Sequence, residues 1–568
     1  MTLISHQTRQ ASSTTMAFLN RCSVIIILSL YVLAASSCES CPSTDGYYRD
    51  TKDCAKFFYC QNGVVVNTFQ CGSGTVYNVE KGVCDWPNNV NCQSNVKGQD
   101  GGAGKDSLGT QKPASSSSTT PLSPSSTSSS STLRPPSTTT ASRQTSLQPA
   151  IETENPNEWH PTIGPTTTAE PDPPEGFLDD YVLVCYFTNW AWYRPQGGKF
   201  IPEDINPGYC THINYGFAVL DGSTLTIKVH DSWADVDNQF LKRVVALKKK
   251  NPKVKVMLSL GGWNDSAGDK YSRLVNSPSA RAKFIEQALQ FLAKYHFDGL
   301  DLDWEYPKCW QAECTKGPES DKSAFASFVH ELRVALQPRG LLLTAAVSPS
   351  KSVIDAGYDV PALAKDFDFI NVMAYDYHGQ WEKFASHHSP LYERPASAAF
   401  DPFDKIFNVN YTIHHWIERG MPSRKLVLGV PLYGRSFVLT GDADSHPKKG
   451  FGMAASSGGE PGQFTREKGY LSYYEICDNV RNKGWKVERD ESGVAFAHLK
   501  NQWVGYDDPE ALKKKSEYIK QMNLLGGMVW ALDLDDFMGS CCKTRYPLMK
   551  TLNAYLRGVK SFRDIKCV

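Results

Sequence analysis

The chain has 568 residues, too many for one ordinary hydrophobic core, so two or more domains are expected. Its 60 basic and 60 acidic side chains cancel, which removes the electrostatic case for nucleic acid or an anionic membrane as partner. Sixteen cysteines in regular spacings point to an oxidising compartment.

Arg21 precedes an apolar run from Cys22 to Ala35, followed by the small residues Ser36 and Ser37. This is the layout of a secretory signal peptide, assigned to residues 1–37, with Met16 competing with Met1 as the true start. The run is short for a membrane span. The mature protein is therefore expected to be secreted, extracellular and soluble, with no membrane partner, and a monomer is the working expectation.

Residues 38–95 form the next unit. Cys41, Cys54, Cys60, Cys71, Cys84 and Cys92 are separated by 12, 5, 10, 12 and 7 residues. A segment this small cannot bury a conventional core, so disulfides must replace the missing burial, and sequence alone leaves fifteen pairings open. The segment is rich in aromatic residues, among them Tyr47, Tyr48, Phe57, Phe58, Tyr59, Phe69, Tyr77 and Trp86. About half of these rings should fill the small core. Tyr59, Tyr77 and Trp86 are the binding candidates, since flat, weakly polar sugar faces stack well on such rings. A strand through 57–59 would put Phe57 and Tyr59 on one face.

Residues 96–177 are a linker. From Ser107 to Pro174 serine, threonine and proline dominate, which forbids a packed core and favours O-glycosylation. About 70 such residues, fully extended, reach on the order of 200 Å.

Residues 178–568 alternate short apolar runs with helical ones, the pattern of an α/β (β/α)8 barrel. Strands are predicted over 182–190, 211–220, 253–262, 298–306, 341–348, 367–377, 425–435 and 527–536. After Ser277-Pro278, a cap and first turn, Phe284, Ala288, Phe291, Leu292 and Tyr295 recur at helical spacing. Phe325, Phe328, Val329, Leu332 and Leu336 repeat the pattern after strand four. About 90 residues separate strands seven and eight, far more than one crossover helix needs. An inserted subdomain over about 436–505 is expected, with Asp508-Pro509 opening the final helix.

The predicted fourth strand reads Asp-Gly-Leu-Asp-Leu-Asp-Trp-Glu-Tyr from Asp298 to Tyr306, which puts Asp301, Asp303 and Glu305 at i, i+2 and i+4. A strand would send all three carboxyls to one face. Carboxyls about 6 to 7 Å apart cannot all ionise cheaply, so at least one pKa should rise toward neutrality. Glu305 lies last, nearest the open end of a barrel, and is the candidate general acid. Asp303 would share its proton and charge, and Asp301 would set the state of Asp303. Solvated surface acids are the alternative, but Leu300, Leu302 and Trp304 leave no polar face for them.

Tyr186, Trp190, Phe217, Trp263, Met373, Tyr375, Asp376, Trp381, Tyr433, Arg435 and Trp530 fall at or just after predicted strand ends, where barrel active sites are built. They describe an aromatic trench suited to sugars. Histidines 387 and 388, and 414 and 415, are adjacent pairs that point apart and lack zinc-protease spacing. No metal and no cofactor is expected. Cys309 and Cys314 bracket a short loop and suit a local disulfide, and Asn264 and Asn410 stand in glycosylation sequons.

The acidic run is joined by Lys255-Val-Met-Leu-Ser-Leu-Gly-Gly-Trp263, Met373-Ala-Tyr-Asp376, Tyr433-Gly-Arg435 and Trp530-Ala-Leu-Asp-Leu-Asp-Asp536. Together, over about residues 178–555, these resemble glycoside hydrolase family 18, the chitinases and related proteins. The six-cysteine segment resembles the peritrophin-type chitin-binding domain, which implies Cys41 with Cys60, Cys54 with Cys92 and Cys71 with Cys84. In the barrel the resemblance implies Cys185 with Cys210. It also joins Cys477 to Cys541 or Cys542, the other pairing with Cys567.

A TIM barrel with an α+β insertion between strands 7 and 8, walling one side of a groove for long substrates, is the implied fold. In the implied site Glu305 protonates the glycosidic oxygen, Tyr375 and Asp376 hold an N-acetyl group, Trp530 floors the reacting subsite and Arg435 binds a neighbouring sugar. The implied chemistry is substrate assistance, an established exception among retaining glycosidases. The 2-acetamido oxygen attacks the anomeric carbon, Asp303 steadies the oxazolinium ion, and configuration is retained. A secreted endo-acting chitinase acting on chitin and chito-oligosaccharides is the function so implied. The alternatives are a chitin-binding lectin on the same barrel and an endo-β-N-acetylglucosaminidase. Lectin-like members usually lose the glutamate or its aspartate partner, whereas Asp301, Asp303 and Glu305 are all present. The binding module precedes the barrel here, where many arthropod-type chitinases carry it after.

Overall fold

The computed structural model describes residues 46–50, 53–61, 64–70, 76–79, 83–85, 90, 180–394, 403, 405–563, 565 and 567. The signal-peptide and linker assignments, and the cysteines 41, 71 and 92, lie outside them. The chain divides into two units, Met1–Glu152 and Thr153–Val568.

In the first unit, strands Gly46–Arg49, Lys56–Gln61 and Val64–Gln70 form an antiparallel sheet, and Val76–Asn78 pairs with Val83–Asp85. Cys54 and Cys60 each take part in a disulfide. Tyr77 corrects the sequence reading: it is 3% exposed and stacks on Phe57 at 4.0 Å, with Arg49 Nη1 donating to its carbonyl at 3.1 Å. In so small a module the ring is needed as core and is not free to face a ligand. The side chains of Tyr59, Cys84 and Trp86 are outside the described set.

The second unit is a closed (β/α)8 TIM barrel. Strands Val182–Thr188, His212–Leu220, Lys255–Gly261, Gly299–Asp303, Leu342–Val347, Phe369–Val372, Leu426–Pro431 and Gly526–Trp530 pair in parallel in that order, and the eighth pairs back to the first. Apolar residues from these strands and the surrounding helices make one continuous core. Helix Pro278–Tyr295 starts as the sequence indicates, with the Ser277 hydroxyl accepting from Ala280 N at 3.3 Å. Helix Ser320–Leu336 buries Phe325, Phe328, Val329, Leu332 and Leu336. Asp508 caps helix Pro509–Gln521 through Ala511 N at 2.9 Å, and a further helix, Pro547–Tyr555, follows the eighth strand.

Four predicted strands run well past their observed ends, the eighth stopping at Trp530 before the turn Leu532–Leu534. The fourth stops at Asp303 and the sixth at Val372, because the residues beyond leave the hydrogen-bond ladder and turn into the mouth of the barrel. The seventh ends at Pro431, and Tyr433 and Arg435 belong to the first strand of the insertion, Tyr433–Leu439. That strand pairs antiparallel with Ala455–Gly458, Tyr470–Ser472 and Gln502–Tyr506, and the sheet continues through Ala495–Leu499 to Lys486–Arg489. Helix Tyr473–Lys483, opened by a Ser472/Glu475 capping box, completes an α+β subdomain with its own core around Phe437, Phe451, Phe496 and Trp503.

Disulfides join Cys185 to Cys210 and Cys309 to Cys314. Cys477 pairs with Cys541, and Cys542 with Cys567. This settles the choice between the vicinal cysteines, Cys541 being the partner of Cys477.

Candidate active site

Asp301 and Asp303 project from the fourth strand into the barrel, and Leu300, Leu302 and Trp304 pack outward into the core. Trp304 stacks on Tyr271 and meets Phe325 edge-on. Glu305 is half-buried and stands past the end of the strand. Its position is set by loop contacts: Glu305 N donates to Ser266 Oγ at 2.8 Å, and its carbonyl accepts from Gln311 N at 2.7 Å. The expectation of three acids on one strand face therefore holds for two.

Asp301 is fully buried but well solvated by protein. Tyr186 Oη and Ser259 Oγ donate to Oδ2 at 2.6 and 2.7 Å, and Thr344 Oγ1 and Asn371 Nδ2 donate to Oδ1 at 2.6 and 3.3 Å. Burial raises its pKa and these donors oppose the rise. Asp303 has no such cage, and its Oδ1 is without a partner among the described residues. Burial first, then the charges of Glu305 and Asp301, push its pKa well above the carboxylate range. Glu305 is pushed up to about 8, by burial first and then by the charge of Asp376, against a hydrogen bond from Tyr306. Desolvation thus outweighs the mutual repulsion on which the sequence argument leaned.

Gly261 and Gly262 make this geometry possible. At φ of 122° and 85° they adopt backbone that other residues avoid. A Cβ on Gly261 would lie 2.2 Å from the Asp303 carbonyl oxygen, and one on Gly262 would lie 2.7 Å from the Phe217 ring.

Asp376 behaves oppositely to the acidic pair. Arg435 Nε and Nη2 reach its two oxygens at 2.7 and 2.6 Å, and Tyr433 Oη donates at 2.7 Å. The Arg435 guanidinium overcomes burial and holds the Asp376 carboxyl well below the usual range. Arg435 is thereby engaged by Asp376 instead of standing free. His388 Nδ1 lies 3.3 Å from Asp376, and Nε2 donates to the Tyr433 carbonyl at 3.1 Å. Its neighbour His387 points away, into the insertion's core beside Phe451 and Trp503.

Phe217 stacks on Trp530 at 5.9 Å and on Trp190 at 5.9 Å, which gives a continuous aromatic floor. Trp190, Trp263 and Trp381 are 36, 48 and 58% exposed, open enough to act as platforms. Arg435 sits 5.3 Å over the Trp381 ring and 5.2 Å over Tyr470, which stacks on Tyr433 at 4.5 Å. Tyr375 and Met373 are buried beneath this surface. Tyr186 corrects its assignment as a sugar contact: at 1% exposure its hydroxyl is bound to Asp301 and its ring supports Trp530 from below at 5.3 Å. Asn264 is exposed at the same rim.

Sequence reasoning missed Ser259, Thr344 and Asn371, although each is a lone polar residue inside an apolar strand, which was a readable signal. Tyr306, adjacent to Glu305, was also missed. His388 arrives from a distant loop and Tyr470 from the insertion strand Tyr470–Ser472, and neither carries a local signal.

Residues 182–535 match the family Glycosyl hydrolases family 18. The chain belongs to that family. Residues 41–92 match the Chitin binding Peritrophin-A domain. Probable chitinase 10 of Drosophila melanogaster is 43% identical over 552 residues, which is 92% of this chain and 24% of that protein. The chain thus spans about a quarter of that relative's length. A mutant of catalytic domain 2 of the Ostrinia furnacalis Group II chitinase, solved in complex with penta-N-acetylchitooctaose, is 53% identical with a TM-score of 0.64, covering 67% of this chain and 97% of that one. Human YKL-39, described as a pseudo-chitinase with retained chitooligosaccharide binding, is 38% identical with a TM-score of 0.59, covering 66% and 99%. The solved structures similar to this barrel thus include one named a chitinase and one described as a pseudo-chitinase.

Proposed function

We propose that the protein is a secreted, endo-acting chitinase that cleaves β-1,4-N-acetylglucosamine linkages with retention of configuration. The observation that carries this reading is the Asp303–Glu305 pair, Asp303 buried and Glu305 half-buried at the barrel mouth, with Glu305 pushed up to about 8 and so protonated at neutral pH, beside an aromatic floor of Trp190, Phe217 and Trp530.

Glu305 delivers its proton to the leaving glycosidic oxygen. Asp376 is unsuited to be the nucleophile of a conventional double displacement, because Arg435 and Tyr433 hold its oxygens. The attacking oxygen comes from the substrate's own 2-acetamido group, as in substrate-assisted family members. Once that proton has left, the negative charge remaining on the Asp303–Glu305 pair stabilises the oxazolinium ion beside Asp303, and Glu305, now ionised, draws the proton from the incoming water. Tyr375 and Asp376 orient the acetamido group, and Trp263, Trp381 and Trp530 stack on successive sugars. The six-cysteine module holds the barrel near insoluble chitin, and export through the apolar N-terminal segment places both outside the cell. Among the described residues no helix is long and apolar enough to cross a membrane.

Likeness to YKL-39 raises a second reading, a binding protein without turnover. Reducing-end release from colloidal chitin separates the two. The wild type should release reducing ends, and Glu305→Gln should lose about 10²- to 10⁴-fold in rate while keeping oligosaccharide affinity. Equal, negligible release by both would establish the binding protein instead.

A further inference from the structure

Asp376 is the charge that acts on Glu305 from across the site, so its placement is part of the acid's tuning. That placement depends on a buried network reaching away from the groove. Lys515, on helix Pro509–Gln521, is 2% exposed. Its ammonium pairs with Asp507 and donates to Ser389 Oγ at 2.6 Å. Ser389 Oγ donates in turn to the Ala374 carbonyl at 2.7 Å. Ala374 lies two residues before Asp376, whose own backbone is left-handed at φ 58°. The neighbouring segment is tied to the same turn, since Tyr377 N donates to the His388 carbonyl at 3.0 Å and the His388 ring faces Asp376.

A buried ammonium–carboxylate pair is weak evidence for stability, because desolvation offsets most of the attraction and apolar replacements of similar volume often fold as well. What the pair supplies here is direction: an ammonium with several donors can bind Asp507 and the Ser389 hydroxyl together, and no apolar side chain can. We propose that Lys515 is a positioning residue that, through Ser389, fixes the Ala374–Asp376 turn and the His388 segment and so holds Asp376 where its charge acts on Glu305. This rests on the hydrolase reading above.

The surrounding charges set the expected signs. Glu305 is faced by Tyr306, Tyr358, Tyr375, Asp303 and Asp376. His388 is faced by Asp376, Arg435, Asp507 and His387. Lys515 is faced by Asp507 and Ser389, with Lys514, Glu517, Tyr392 and Tyr518 around the adjoining cavity. If the turn slackens, Asp376 acts less on Glu305, whose pKa falls, and the alkaline limb of the activity profile moves to lower pH. If Lys515 alone is removed, Asp507 faces His388 uncompensated and makes the imidazole more basic.

The test uses the full chain, soluble chito-oligosaccharide and three variants: Ser389→Ala, which leaves the ion pair intact, Lys515→Met/Asp507→Leu, which removes both charges, and Lys515→Met. For the first two, kcat should fall roughly ten- to hundredfold with little change in KM, and the alkaline limb should move to lower pH. In Lys515→Met the His388 imidazole, followed by nitrogen NMR, should titrate at higher pH than in the wild type. A fall in kcat with an unmoved limb would mean a scaffold role only and would overturn the proposal, as would an unmoved His388 titration. A wild type that releases no reducing ends would sink the hydrolase reading, and the His388 titration then decides the Lys515 contact by itself.

Discussion

At the residue scale the site sorts its carboxyls by environment. Asp301 is surrounded by donors, Asp376 is held ionised by a bidentate guanidinium, Asp303 is buried with one oxygen unpartnered among the described residues, and the half-buried Glu305 is desolvated beside it. The consequence for stability has a definite sign. Glu305 has a folded pKa of about 8 against an ordinary 4.5, so ionising it opposes folding. Its contribution is fully present below about pH 4.5 and is lost as pH rises through about 8. Glu305→Gln, which cannot ionise, should therefore melt above the wild type by roughly 2 to 5 °C at pH 9, and by much less at pH 5. Thermal melts at the two pH values check this, and a gap that shrinks toward pH 9 would count against the assignment. The repulsion among three spaced acids was legible in the sequence. The larger cause, burial, depends on what closes over the strand end, and the sequence does not say that locally.

At the scale of elements, the eight barrel strands were legible because each carries an apolar run of strand length, and the helices because their stripes repeat at 3.6 residues. Strand ends were not legible. Met373, Tyr375 and Asp376 continue an apolar pattern that reads as strand, yet they leave the ladder to build the groove. Tyr433 and Arg435 likewise sit in a new strand separated from the end of the barrel strand by the single residue Leu432. The insertion's existence followed from spacing alone, while its registration over the groove, which brings Tyr470 against Tyr433 and Arg435, did not. The exposed platforms should act on binding more than on folding. Trp263→Ala or Trp381→Ala should weaken oligosaccharide affinity about tenfold, near 1.4 kcal/mol, with little change in melting temperature. Calorimetric titration with a soluble oligomer checks this, and unchanged affinity would remove that ring from the groove.

For the molecule as a whole, the cysteine count and the serine- and threonine-rich stretch announced two units before any fold was considered. The barrel site was more legible than the binding module, where an aromatic residue in the sequence suits core and contact equally, and Tyr77 proved to be core. A tethered module raises the local concentration of a catalytic domain at a surface without touching its chemistry. Deleting residues 38–95 should therefore reduce binding to insoluble chitin by about tenfold or more and leave kcat/KM on soluble oligosaccharides unchanged. Parallel sedimentation and soluble-substrate assays decide this, and a matching loss on both substrates would contradict independent units.

The central claim is that burial, assisted by Asp376, keeps a proton on Glu305 at neutral pH. The most direct measurement is the carboxyl carbon shift of Glu305 across a pH titration, assigned by difference from Glu305→Gln. Titration near pH 8 is the expected result. A midpoint near 4.5, the value of an unperturbed glutamate, would contradict the account.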